Sequence, residues 1–167
     1  REAEEAVVGA VLINPDVYYD VAQFLNADDF YIHRHKFIWE AFTRLHESRT
    51  PIDMLTVADD LERTGQLGEL GGPAFLTSLI NQVPTSLNAE SYGKIVEGHS
   101  VRRKMITAAN RIASIAYDTE TSVDEVMGES EKAVFNVSER RLKHDLQPIR
   151  NVLSEYYDRI DDLAKRP

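Results

Sequence analysis

Residues 99–137 constrain the fold of this chain more than any other stretch. In their first half Val101, Met105, Ala108, Ile112 and Ile115 recur at alternating steps of four and three, with Arg102, Arg103, Lys104 and Arg111 between them. That is one face of an amphipathic helix. The second half repeats the pattern with Val123, Val126, Met127, Ala133, Val134 and Val137. Tyr117-Asp118-Thr119-Glu120-Thr121-Ser122 separates the runs, with Ser122 a candidate N-cap and Glu125, three residues on, completing a capping box. Two long striped helices joined by a short polar connection form an antiparallel hairpin. Each stripe is broad enough to leave apolar surface for another chain.

The residues before the hairpin punctuate into short helices. Residues 2–13 place Ala6, Val7, Ala10, Val11 and Ile13 on one side, with acids in the first turn, and Asn14-Pro15-Asp16 stops the run. Val17, Val21, Phe24 and Leu25 mark a second helix, and Phe30 with Tyr31 reads as an aromatic pair plugging the core. A third helix over residues 33–48 stacks Phe37, Ile38, Ala41, Phe42 and Leu45, with Trp39 on its flank. Asp53 is a candidate N-cap for residues 54–63, and Gly65 stands where a left-handed terminator is wanted. Pro73 opens the next helix, Val83-Pro84 closes it, and Asn88 or Ser91 starts the one that runs into the hairpin. Gly93 and Gly98 are poor helix residues there, and Gly98 is the expected bend.

After the hairpin, residues 139–147 are charged and lack an apolar period, which predicts a hinge. Pro148 then opens a terminal helix with Ile149, Val152, Leu153, Tyr156, Ile160 and Leu163 along one face. On the residues alone, that face either folds back on the hairpin or waits for a partner. No segment alternates with a period of two, so the fold class is all-α: a helical globule over residues 1–98, the hairpin over 99–138, the hinge, and a terminal helix over 148–167.

Composition and spacing exclude most chemistry. The chain of 167 residues has no cysteine, hence neither disulfide nor thiolate. No apolar run approaches membrane-spanning length, and the N-terminus is unlike a signal peptide, so a cytoplasmic protein is expected. A net charge of −9 disfavours sequence-independent nucleic-acid binding by the chain as a whole. Gly65, Gly68, Gly71 and Gly72 follow a helix rather than a strand and are not succeeded by Lys-Ser or Lys-Thr, so they form no phosphate cradle. His33 and His35 lack the spacing that brings helical ligands onto one metal, and His35 reads as a capping or core-edge histidine. No serine occupies a nucleophile elbow. No catalytic, cofactor-binding or metal-binding residue is expected. Two readings stand beside an interaction module: a nucleic-acid-binding regulator acting through Arg102, Arg103, Lys104 and Arg111, and a small helical enzyme with a dispersed carboxylate site.

An ordered set of short motifs then points to a family. Glu2-Ala3-Glu4-Glu5-Ala6-Val7-Val8-Gly9, Ala27-Asp28-Asp29-Phe30-Tyr31 before His35, Pro51-Ile52-Asp53, Leu61-Glu62-Arg63-Thr64-Gly65-Gln66-Leu67, Gly71-Gly72, Val83-Pro84-Thr85-Ser86, Asn88 with Tyr92, Ile95 and Val96, and Arg103 occur in that order. The chain resembles the N-terminal domain and linker of the DnaB-type bacterial replicative DNA helicases. That resemblance implies self-pairing through the hairpin, with three such pairs forming a collar on a hexameric ring. It also implies docking of primase and of the helicase loader. The helix from Pro148 to Leu163 would seat on the ATPase domain of an adjacent subunit. Helicase activity with ATP and magnesium would belong to a RecA-like motor domain. The sequence reaches Pro167 without a Walker A loop, so the resemblance makes it a piece of such a helicase, touching DNA only through that motor.

Overall fold

The helices begin and end where local chemistry dictates. The computed structural model describes residues 1–144 apart from Pro84, and side-chain exposure as far as residue 138. Its helices are α1 (Glu2–Ile13), α2 (Val17–Ala22), α3 (His33–Glu47), α4 (Met54–Arg63), α5 (Leu67–Leu70), α6 (Pro73–Gln82), α7 (Ala89–Ala116) and α8 (Val123–His144), with one 3-10 turn at Ala27–Asp29. Among the described residues there is no strand. The all-α reading holds.

Asp53 caps α4 by accepting the amides of Leu55 at 2.8 Å and Thr56 at 2.9 Å, and Thr56 Oγ1 returns the favour by accepting the Asp53 amide at 3.0 Å. After α4 the chain turns through Gly65 at φ +74°, where the Gln66 amide donates to the Leu61 carbonyl at 2.8 Å. A left-handed residue is needed for that closure, and glycine adopts it without a Cβ clash. Pro73 is the first residue of α6.

Two compact units result, Arg1–Thr107 and a second from Ala108 onward, with α7 contributing to both. In the first, α1 is buried nearly all round by Val7, Val8, Ala10 and Val11, and it packs on α3 and α6. Gly9 makes the crossing with α6 possible: a Cβ there would lie 2.5 Å from Val83 Cγ2 and 2.7 Å from the Leu79 carbonyl oxygen. Trp39, expected on the flank, is a central core residue at 1% exposure, with ring centroids 5.1 Å from Phe30 and 5.4 Å from Tyr18. Its position between Ile38 and Phe42 lets both faces of α3 reach apolar neighbours, which a single-stripe reading does not anticipate. Phe30 is buried, but Tyr31 is 76% exposed and carries the Arg103 guanidinium 5.4 Å from its ring centre. Only the first member of the expected aromatic plug enters the core.

Residues 139–144, read from sequence as the start of a hinge, continue α8. Glu139, Arg140, Arg141, Leu142 and Lys143 are all good helix formers, and a missing apolar period bears on burial rather than helicity. Residues 145–167, with the rest of the hinge and the terminal face from Ile149 to Leu163, lie outside the described residues.

Candidate assembly surface

Among the described residues the hairpin is closed by local polar contacts and one ion pair between its helices. Asp118 accepts the Glu120 amide at 3.0 Å and the Thr121 hydroxyl at 2.9 Å within the connection. Ser122 precedes α8 and accepts the Glu125 amide at 3.3 Å, while its own hydroxyl donates to the Glu125 carboxylate at 3.1 Å. That is the expected N-cap, with the glutamate returning to the hydroxyl rather than to the backbone. Arg111 of α7 donates to Glu129 of α8 at 2.6 Å, a pair nearly symmetrical about the connection, as antiparallel helices require.

The stripes read from sequence divide by exposure. Ala108 is buried at 8%, and Val101, Ile112, Ile115, Val126, Ala133 and Val137 are half-buried. Met105 at 48%, Val123 at 77%, Met127 at 57% and Val134 at 43% stand out in solvent. On α8 the half-buried Val126, Ala133 and Val137 follow steps of seven and four, and the exposed Val123, Met127 and Val134 form an adjacent row at steps of four and seven. Two exposed apolar residues escaped the sequence reading, Ile106 at 62% and Phe135 at 56%. Each directly follows a stripe residue, and that doubling was the available signal of a stripe wider than one packing face.

In the first compact unit, α7 is fastened to the 3-10 turn by a buried aspartate. Asp29 is 3% exposed; its carboxylate accepts Ser100 Oγ at 2.7 Å, Lys104 Nζ at 2.6 Å and the Asn26 amide at 2.9 Å, and its carbonyl accepts Arg103 at 2.6 Å. Burial acts to raise the Asp29 pKa, but Lys104, Ser100 and the Asn26 amide outweigh it and hold the group below its ordinary 3.8. Glu4 does similar work for α3. It accepts the amides of Tyr31 at 2.6 Å and Ile32 at 3.1 Å and meets His35 Nδ1 at 2.9 Å, so α1 caps α3 from outside. Burial opposes ionisation of Glu4, yet the His35 and backbone hydrogen bonds prevail and its pKa lies below 4.5. His35, 1% exposed and stacked on Phe75, is a satisfied core histidine.

These contacts bear on the basic face of α7. Arg103 and Lys104 are engaged by Asp29 and Arg111 by Glu129. Of the four cations read there, Lys104 and Arg111 are ion-paired with carboxylates, Arg103 donates to a backbone carbonyl, and Arg102 alone has no such partner among the described residues. No described group of three His, Asp or Glu side chains has metal-holding geometry.

The family model of the DnaB-like helicase N-terminal domain matches residues 1–98. The chain belongs to that family. Among its relatives, the replicative DNA helicase DnaC of Bacillus subtilis is 38% identical over 165 residues, covering 99% of this chain and 36% of the relative. The replicative DNA helicase DnaB of Geobacillus stearothermophilus is 36% identical over the same coverage. This DnaB-like chain thus spans about a third of the length of the curated relatives it matches. The solved N-terminal domain of DnaB helicase from Mycobacterium tuberculosis superposes with a TM-score of 0.77 at 33% identity, covering 81% of this chain and 95% of that one. The corresponding Helicobacter pylori domain, at 24% identity and a TM-score of 0.61, covers 70% of this chain and 90% of its own, and shares the fold.

Proposed function

We propose that this chain is the assembly and docking module of a replicative DNA helicase: its hairpin pairs with a second copy, and its globule presents a surface to primase. Unwinding with ATP and magnesium is the work of a motor domain in the part of the relatives that this chain does not span. The terminal face, Ile149 to Leu163, seats on the ATPase domain of an adjacent subunit, and the assembled collar also meets the helicase loader. Family membership supports this reading, and so does the Helicobacter pylori neighbour, whose structure was described with its interactions with primase.

The observation that carries the pairing is the exposed row Val123, Met127 and Val134 on α8. Exposed apolar side chains aligned along a helix cost solvation that a partner helix relieves. The pairing row is therefore read as these residues, while Ala108, Ile112, Ile115, Val126 and Val137 pack the hairpin itself. Sedimentation velocity across a concentration series tests it. The chain self-associates, and the double variant Met127→Ser, Val134→Ser shifts it toward monomer with unchanged helicity. A strict monomer at every concentration would overturn self-pairing.

A further inference from the structure

We propose that the seam between α2 and the C-terminal half of α3 is a docking groove for an extended, basic peptide segment of a partner protein. Two concavities follow one another along this seam, of about 410 Å³ and 340 Å³, and Tyr19 and His46 line both. One opens toward Pro15 and Pro51, the other toward Gln23 and Thr43. The floor is aromatic: the Tyr18 ring lies 5.4 Å from Trp39 and 5.3 Å from His46, and Tyr19 meets His46 edge-on at 5.1 Å. Tyr19 remains 58% exposed, an uncovered ring at the middle of the groove. A seam walled by tyrosine and proline suits an extended chain rather than a helix.

Charge selects the occupant. Asp16 lines the groove, Asp20 follows one helical turn later, and Glu47 adjoins His46 at an exposed position. None of these three carboxylates has an ion-pair partner among the described residues. Burial pushes the Tyr18 hydroxyl pKa up, Thr43 draws it back in part, and the Glu47 carboxylate adds to the rise. Arg49 is the only lysine or arginine among the lining residues and stands at the Pro51 end. Asp16 on the lining, with exposed Asp20 next to Tyr19 and exposed Glu47 next to His46 on the two helices that form the seam, favours a guanidinium or ammonium laid over the tyrosine ring. The chain's net charge of −9 steers such a segment inward. The groove is separate from the hairpin and does not depend on self-pairing.

The test uses the whole 167-residue chain and labelled octapeptides, one alternating arginine with proline and one with glutamate replacing each arginine. Fluorescence anisotropy shows saturable, salt-sensitive binding of the basic peptide only, and backbone amide shifts concentrate in residues 16–23 and 43–52. Tyr19→Ala weakens binding about fivefold without altering the fold. Asp16→Lys, Asp20→Lys, Glu47→Lys weakens it by more than about tenfold, whereas the same charge change at exposed Glu2, Glu62 and Glu69 leaves it within about threefold. Equal binding of the acidic peptide, equal loss in the control variant, shifts outside α2 and α3, or no saturable binding would each overturn the proposal.

Discussion

Gly9, Gly93, Gly98 and Arg49 show how differently single positions are constrained. Gly9 lies under the α6 backbone, so Gly9→Ala forces α1 and α6 apart and costs about 1–3 kcal/mol in chemical denaturation. Gly93 answers an objection raised by the sequence, since a Cβ there would meet Phe24 at 3.0 Å and Val21 at 3.1 Å. Its poor helix propensity is offset by the approach of α2 to α7. Gly98 faces open space, and Gly98→Ala therefore stabilises the chain by about 1 kcal/mol. Arg49 closes α3 at φ +56°, with its amide on His46 and the Thr50 amide on Leu45, in the place a glycine normally takes. Relief of that left-handed strain makes Arg49→Gly more stable by about 1 kcal/mol, read as a raised denaturation midpoint with an unchanged slope.

At the scale of elements, buried carboxylates join helices that the apolar stripes alone would leave free to slide. Asp60, 1% exposed, takes Arg44 of α3 at 2.9 and 2.6 Å and Arg63 of its own helix at 2.6 Å, locking α3 to α4. Asp29 fixes the first half of α7 against the 3-10 turn, which extends the first compact unit to Thr107, beyond the residue-98 boundary drawn from sequence. Asp29→Ala removes charge-assisted hydrogen bonds and leaves Lys104 without its partner. The expected loss is about 2–3 kcal/mol, with faster amide exchange across residues 99–107 than in α1.

The molecule as a whole carries an acid-sensitive network. Glu4, Asp29 and Asp60 all have pKa values held below their ordinary 4.5, 3.8 and 3.8, where hydrogen bonds from His35 and the backbone outweigh burial at Glu4 and hydrogen bonds with nearby Lys or Arg cations outweigh it at Asp29 and Asp60. A depressed folded-state pKa means the unfolded chain binds protons first as pH falls. The stabilisation is complete above the ordinary values and is lost as pH drops through the folded ones. The melting temperature is thus level from neutrality to about pH 5 and falls steeply below about pH 4.5, with Asp29→Asn flattening part of the drop. Trp39, the single tryptophan, emits blue-shifted light in the folded chain and moves red on the same transition, because it lies in the core of the first unit.

Much of this was written in short-range chemistry. The three-to-four periodicity, the Asp53 and Ser122 caps, the Gly65 terminator and Pro73 at a first turn set the helices and most of their ends, because capping and propensity act within about one turn. The ordered motifs identified the family on the same local evidence. Tertiary structure decided what sequence spacing cannot hold: Glu4 meets His35 across 31 positions and Asp29 meets Lys104 across 75. Such pairs form only when unrelated helices are brought together, and no local pattern marks a carboxylate as buried rather than solvated. The same is true of the hairpin. Its apolar stripes were legible as stripes, but the division into a row that packs and a row left exposed depends on where the neighbouring helix lies.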